Sequence, residues 1–396
     1  ALEALVQAMQ TAAQKADEPA YLRCIDDSSP VFHTEQRAWV RDLARSAPER
    51  LTFEIEGVGT TTTPDGAVAP PGDDALVARV TIRWQMPGGK ARSFPHDAWF
   101  VRRADRWLYA GEAWPTIVVP PEPQHGQYGV TVRYSPGADE AAREVARLMP
   151  GIRARVDRVF AAPLRAPQEV KLYTSMSHLQ ASIYPSYANP LGGWNEPGES
   201  IKILAAPSMR GRALENTLSH EYGHAVSFEC GPKINDAPWW VLEGIAEVAA
   251  GAMNPLSGTG PTLARDTRVL DLAVRGDLRP WDELADFYSV PSKLHGQVYA
   301  QGRSMMDFIG RAYGHDARVE FLACLGRGDA LDDSARAALG VPFAEVHVRW
   351  LHWVMQRCAA RFADRLADVA KRDATPDPLA LPSPDAFDDW KTWLAE

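Results

Sequence analysis

Cysteine is scarce in this chain, with four residues in 396, at positions 24, 230, 324 and 358. They are widely scattered and form no Cys-x-x-Cys pair, which excludes a zinc knuckle and a dense disulfide framework. Cys324 and Cys358 fall in segments predicted to be helices that pack together. Two alternatives therefore stay open for this pair, a disulfide or two buried free thiols.

Long apolar runs and basic stripes are also missing. No stretch of 18 apolar residues occurs, so no segment is predicted to span a membrane. The net charge is −9 and Lys and Arg form no stripe, which argues against nucleic-acid binding. The chain starts at Ala1 without a basic and apolar leader. A removed signal peptide or a trimmed start would both leave this trace, and the first favours a secreted or periplasmic protein.

The length and the 45% hydrophobic content predict two or three domains. Residues 1–115 have the pattern of an α+β unit, with two helical segments followed by alternating strands. Turn residues separate the strands, namely Pro64-Asp65-Gly66, Pro87-Gly88-Gly89 and Ala104-Asp105. The predicted helices are Leu2–Lys15 and Glu35–Ala47, and the predicted strands are Leu51–Val58, Ala75–Trp84, Ser93–Arg103 and Arg106–Trp114.

A Pro-rich linker is predicted at residues 116–129, followed by a second unit at 130–372 and a Pro- and Asp-rich tail at 373–396. The second unit begins with a strand–helix–strand pattern and becomes helical after residue 295. Within it, the segment Tyr187–Glu199 contains Gly192-Gly193-Trp194. This segment is either a sheet edge that holds an extended peptide or a plain loop.

The most informative stretch is the pentapeptide His220-Glu221-Tyr222-Gly223-His224. Two histidines four residues apart lie on one face of a helix, so both imidazoles can reach one metal ion. Glu221 lies beside that face, where it can accept a proton from water without being a ligand. The flanking residues have the apolar pattern of a helix, namely Leu214, Leu218, Ala225, Val226 and Phe228.

Catalytic zinc needs a third protein ligand, and Glu243 is the candidate. Residues 225–242 separate His224 from Glu243, a gap of 18 residues. This gap holds the end of one helix, a turn and the start of a second helix. Two antiparallel helices joined in this way can direct three side chains to one point.

This pattern, with Glu243-Gly244-Ile245-Ala246-Glu247 after the gap, resembles the gluzincin zinc metallopeptidases of clan MA, which include thermolysin-like enzymes and zinc aminopeptidases. The resemblance implies that one Zn²⁺ is bound by His220, His224 and Glu243, with Glu221 as the general base. It also implies that Glu247 accepts the outer N–H of a ligand histidine. The alternative for Glu247 is a solvated helix residue.

A metallopeptidase also needs a donor for the developing oxyanion, usually a Tyr or a His. The run Gly296–Ser304 resembles a helix start that follows the zinc helices in many peptidase-MA-like proteins. Tyr299 is therefore the candidate donor, and His295, Tyr288 and Tyr313 are its rivals.

The N-terminal pattern of helices followed by antiparallel strands, ending in the segment from Phe100 to Trp114, is similar to the cone-shaped nuclear-transport-factor-two-like fold of the SnoaL and cystatin-like group. Such cones often enclose a pocket. His33, His96 and Asp97 are interpreted as structural residues of strands and surfaces, so no chemistry is assigned to them. An accessory module that binds a partner or dimerises is expected.

The predicted fold class is α+β, with a cone-shaped α+β domain followed by a zincin-like α+β peptidase domain with a helical C-terminal part. The predicted function is zinc-dependent hydrolysis of peptide bonds in a peptide or protein substrate, through metal-activated water. A zinc-bearing binding or scaffold protein with weak or no catalysis is the alternative. A weaker third hypothesis places catalysis in the N-terminal domain.

Overall fold

The computed structural model describes residues 1–59, 75–121, 128–161, 164, 166–206, 209–251, 269, 272–273 and 276–370. The predicted turn Pro64-Asp65-Gly66 and the predicted tail at 373–396 lie outside these residues. No helix in the described ranges combines the length and the apolar composition that a membrane span requires.

The N-terminal unit begins with three helices, α1 (Leu2–Gln14), α2 (Glu18–Leu22) and α3 (Pro30–Arg45). The second predicted helical segment begins earlier than expected, because Ser29 caps α3 by accepting a bond from the Phe32 amide and Pro30 occupies its first turn. The short helix α2 was not predicted. It is capped in the same way as α3, because the Asp17 side chain accepts a hydrogen bond of 3.0 Å from the Ala20 amide.

Four antiparallel strands complete the N-terminal unit and pair in chain order. One face of this sheet packs against the helices, where Phe94 and Phe100 meet Trp39 and Leu43 in one core. The strands are β1 (Arg50–Gly59), β2 (Ala75–Gln85), β3 (Arg92–Arg103) and β4 (Arg106–Glu112). The cone-like resemblance of this unit stays a prediction.

A second, five-stranded sheet has the order β5-β6-β7-β9-β8, with a parallel centre and an antiparallel strand at each edge. Its first strand lies in the predicted linker, because residues 116–119 pair with residues 130–133. Residues 122–127 of that linker lie outside the described residues. The strands are β5 (Thr116–Val119), β6 (Val130–Tyr134), β7 (Gln168–Tyr173), β8 (Gly193–Trp194) and β9 (Ile201–Leu204).

Eight described helices surround this sheet or follow it. Helix α4 crosses over between β6 and β7 and buries a face that includes Val145, Met149 and Ile152. The helices are α4 (Asp139–Phe160), α5 (Met176–Ile183), α6 (Arg212–Ser227), α7 (Trp239–Gly251), α8 (Ser292–Ala312), α9 (His315–Arg327), α10 (Leu331–Leu339) and α11 (Phe343–Ala370). The predicted α+β class and the helical C-terminal part are confirmed. Cys324 is a buried free thiol.

A buried cluster of charges joins the two units. Lys171 on β7 and Lys202 on β9 lie directly opposite each other, and both side chains are almost fully buried. Glu35 of α3 lies between them, with its carboxylate 2.5 Å from the Lys171 ammonium and 3.4 Å from that of Lys202. Burial alone would raise the pKa of Glu35, but the two ammonium groups hold it below its usual range. Like charges in register are tolerated here because Glu35 is a shared counter-ion and Glu199 lies 2.6 Å from Lys202.

The Glu35→Gln variant tests the contribution of this buried charge cluster to stability. The amide leaves two buried ammonium groups without their shared counter-ion, so the free energy of unfolding falls by about 3–5 kcal/mol. Urea denaturation measures the change. The control is Glu54→Gln, which removes an exposed ion pair with Arg83 and costs at most about 1 kcal/mol. Equal losses in the two variants would contradict the role given to Glu35.

Candidate metal centre

Helix α6 places the two histidines of the pentapeptide one turn apart on one face. His220 and His224 bring their Nε2 atoms to 3.1 Å from each other. The opposite side of the helix is fixed against α4, where the Tyr222 hydroxyl donates to Asp157 at 3.0 Å. The pattern of apolar flanks predicted this helix, whereas its contact with α4 follows only from the fold.

Helix α7 brings Glu243 to the same point. Its Oε2 atom lies 3.1 Å from the Nε2 atom of His220 and 3.5 Å from that of His224. The other oxygen of Glu243 accepts a hydrogen bond of 2.8 Å from the indole of Trp239, one turn earlier on the helix. This bond holds the carboxylate in place, and the spacing of four residues could have indicated it.

The three donor atoms fit a zinc ion. Their separations of 3.1, 3.1 and 3.5 Å form a nearly equilateral triangle. Tetrahedral zinc with ligand bonds of about 2.0–2.1 Å places neighbouring ligand atoms about 3.3–3.4 Å apart. Two imidazoles and one carboxylate are also a ligand set that zinc accepts, so the residues fit the metal that the sequence predicts.

The carboxyl groups at this point differ in their electrostatics. Burial would raise the pKa of Glu243, but the imidazoles of His224 and His220 hold it well below its usual range. Burial raises the pKa of Glu221, and the nearby histidines offset this only in part. Glu243 is therefore held as a carboxylate, while Glu221 has the higher proton affinity of the two.

Glu247 lies behind the donor triangle, the name used here for the Nε2 atoms of His220 and His224 and the Oε2 atom of Glu243. Its Oε1 atom is 3.4 Å from Nδ1 of His220, the nitrogen that faces away from the donor point. Arg303 of α8 donates to the backbone carbonyl of Glu247 at 2.6 Å, and its guanidinium is 3.6 Å from the carboxylate. These contacts place Glu247 where a carboxylate can orient the imidazole.

Tyr299 lies beside the donor triangle, and the alternative candidates for the oxyanion donor lie in other positions. Its ring centroid is 5.9 Å from that of His220, and its hydroxyl donates to Glu243. Of the rivals, His295 lines the cleft and hydrogen-bonds the Val290 carbonyl at 3.2 Å. Tyr288 is 69% exposed at the rim. Tyr313 packs against Phe308, away from the cleft.

Burial raises the pKa of Tyr299 well above its usual range. The phenol therefore keeps its proton at neutral pH and remains a hydrogen-bond donor.

The edge strand β8 passes directly over Glu221. A Cβ atom built on Gly193 would lie 2.6 Å from Oε1 of Glu221 and 2.7 Å from its Cγ. Only glycine lets the strand and the carboxylate approach this closely. The sequence left a sheet edge and a plain loop open for the segment that contains the Gly-Gly pair, and its contact with Glu221 follows only from the fold.

The donor triangle opens into a cleft of about 1100 Å³. Eight Phe, Tyr and Trp side chains contribute to its walls, and edge-to-face ring contacts connect some of them, as between Trp194 and Phe287 at 5.8 Å. A further carboxyl group, that of the half-buried Glu196, lines the cleft and accepts a hydrogen bond of 3.1 Å from Asn235. Burial and the neighbouring Glu199 raise the pKa of Glu196 to about 7. The aromatic lining residues are Tyr184, Tyr187, Trp194, Phe228, Trp239, Phe287, Tyr288 and Tyr299.

The N-terminal histidines form no comparable group. His96 is buried and contacts the Tyr109 hydroxyl at 2.8 Å, whereas Asp97 points to the other face of the sheet and pairs with Arg79. His33 contacts Arg37 of its own helix. The interpretation of these residues as structural therefore agrees with their contacts.

Comparisons with known proteins give distant structural likenesses. No protein-family model matches the chain, and no curated protein does. An M1 zinc metallopeptidase from Deinococcus radiodurans is similar at 15% identity and a TM-score of 0.40, over 78% of this chain and 61% of that one. An aminopeptidase A from Legionella pneumophila in complex with aspartic acid is similar at 13% identity and a TM-score of 0.40, over 77% of this chain and 33% of that one. The chain thus spans less than two thirds of either protein.

The variant Glu243→Gln tests the donor triangle through metal binding. Zinc at about 100 times its dissociation constant stabilises a protein by about 2.7 kcal/mol when it binds only the folded state. We expect that gain in the wild type and its loss in the variant, because the neutral amide is a poor zinc ligand. Thermal unfolding with and without zinc, after chelator treatment, measures it. The control Glu215→Gln lies on α6 and contacts Arg155, and it keeps the full zinc shift. Equal shifts in the two variants would exclude Glu243 as a ligand.

Proposed function

We propose that this protein is a zinc-dependent peptidase in which His220, His224 and Glu243 hold the metal. The observation that carries the proposal is the triangle of donor atoms, with Glu221 beside it and the cleft in front of it. A zinc ion bound there acts as a Lewis acid and makes water easier to deprotonate.

Glu221 acts as the general base. It accepts a proton from the water that attacks the peptide carbonyl and passes this proton to the leaving amine. Its burial beneath Gly193 supports this role, because a carboxylate in an apolar, confined position has a raised pKa and a fixed orientation. Glu247 orients His220 through the contact at Nδ1.

Tyr299 donates a hydrogen bond to the carbonyl oxygen as negative charge develops on it. Its position beside His220 and its retained proton support this assignment over the rivals. The strand β8 forms the edge of the described sheet and lines the cleft, where an extended substrate could add as a further strand.

The decisive variant is Glu221→Gln. The amide cannot accept the proton, so turnover of a peptide library falls by about 10²–10⁴-fold while the zinc content stays at that of the wild type. Mass spectrometry of the digest and elemental analysis measure the two quantities. Glu215→Gln, on the same helix outside the cleft, keeps full turnover. Undiminished turnover in Glu221→Gln would exclude the mechanism. Zinc without cleavage in the wild type would favour the binding or scaffold function.

A matched pair of glycine variants tests the contact between β8 and Glu221. In Gly193→Ala the new methyl group displaces the Glu221 carboxylate, and a shift of about 1 Å costs about 10²-fold in turnover. The control Gly192→Ala places its methyl 3.4 Å from the flexible end of Met209, so turnover changes little. Zinc binding is the same in both variants. If both alanines have equal effects on kcat, the close approach does not position the base.

A further inference from the structure

The N-terminal unit holds one wall of the cleft. This wall, the segment at residues 184–196, supplies Tyr184, Tyr187 and Trp194 to the cleft lining. The indole of Trp84 donates to the carbonyl of Pro185 at 2.9 Å, and Arg92 donates to the carbonyl of Tyr187 at 2.7 Å. The backbone of the wall is therefore bonded to the N-terminal sheet.

Asp42 on α3 fixes the same wall from a second side. Its carboxylate accepts bonds from both the amide and the hydroxyl of Ser186, at 2.9 and 2.8 Å. The Asp42 side chain is 5% exposed, so these bonds are shielded from water. Asp42 also lies 3.7 Å from Arg45, one turn later on the helix. The anchor of the wall and Arg45 are thus neighbours on one helix face.

Arg45 reaches the opposite wall of the cleft. Its guanidinium carbon lies 5.5 Å from the ring centroid of Tyr184 on the first wall and 5.3 Å from that of Tyr288 on the second. It also donates to the Tyr288 hydroxyl at 3.2 Å. Phe287, the neighbour of Tyr288, contacts Trp239, whose indole holds the Glu243 carboxylate. The second wall is therefore continuous with the metal centre.

We propose that Arg45 is a positioning residue that links the two aromatic walls, so that the N-terminal unit sets the width of the cleft and its fit to bulky apolar side chains. This inference rests on the proposed peptidase function. A planar guanidinium suits the task because it can make cation–π contacts with two rings and donate a hydrogen bond at once. Arg45 is remote from the donor triangle in its contacts, so it acts on substrate fit and not on the bond-breaking step.

Hydrogen exchange tests this link without any substrate. In Arg45→Ala, the backbone amides of residues 184–190 and 286–290 exchange faster, while those of α6 keep their wild-type rates. The control is Arg41→Ala, on the same helix, whose side chain is 62% exposed and pairs with Glu18 inside the N-terminal unit. This control leaves both walls unchanged. Faster exchange in neither wall, or in one wall only, would overturn the proposal.

Kinetics then separates substrate fit from chemistry. The probe is a set of internally quenched hexapeptides in which a single Phe moves through an Ala and Gly background. Losing contacts to two rings at an exposed site raises KM by about 5- to 30-fold for the best Phe-containing peptide, with kcat nearly unchanged. Arg45→Lys keeps the charge but not the planar contacts, and it recovers part of the loss. A fall in kcat at constant KM would overturn the proposal.

Failure of the inference about Arg45 can be told apart from failure of the proposed peptidase function. If the wild type cleaves none of the peptides, the peptidase proposal fails, and the exchange measurement alone decides whether Arg45 links the walls. If the wild type cleaves them and Arg45→Ala behaves like Arg41→Ala, only the inference about Arg45 fails.

Discussion

The candidate site depends on helices that pack backbone to backbone. A Cβ atom on Gly244 of α7 would lie 2.5 Å from the carbonyl of Gly302 on α8, and one on Gly302 would lie 2.1 Å from the carbonyl of Trp240. On the other side of α7, a Cβ on Gly223 would lie 2.9 Å from that of Ala249. These three glycines bring α6, α7 and α8 close enough for the side chains of all three to meet at one point. A methyl group at Gly223 would separate α6 from α7 and enlarge the donor triangle, whereas one at Gly244 or Gly302 would move α8, which carries Tyr299, away from α7.

The site also depends on buried ion pairs that hold the two units together. Two buried lysines in register on β7 and β9 would repel each other in a low-dielectric interior. Glu35 from α3 is their shared counter-ion, and Glu199 pairs in addition with Lys202. The same helix carries Asp42 and Arg45, which contact the walls of the cleft. Because α3 makes both sets of contacts, the stability of the interface between the two units is linked to the shape of the cleft. This couples the N-terminal unit, in whose described residues no metal-binding group is found, to the candidate metal centre.

Local patterns in the sequence predicted much of this arrangement. The spacing of His220 and His224 indicated a helix face, and the turn before Glu243 indicated the antiparallel return that brings it back. Most strands and the C-terminal helices followed from periodicity and turn residues. The sequence pattern predicts too late a start for α3, because the helix is capped by Ser29, before the predicted segment. Strand β5 and the contacts of Arg45 could not be predicted, because both depend on which distant segments pair or dock, and local periodicity carries no such information.

The most direct test of this account is a crystal structure of the zinc-loaded protein with anomalous data collected on both sides of the zinc absorption edge. The account predicts one strong anomalous peak within about 2.0–2.2 Å of the Nε2 atoms of His220 and His224 and a carboxylate oxygen of Glu243, with one coordination position facing the cleft. A protein that binds no zinc, or a peak held by other residues, would contradict it.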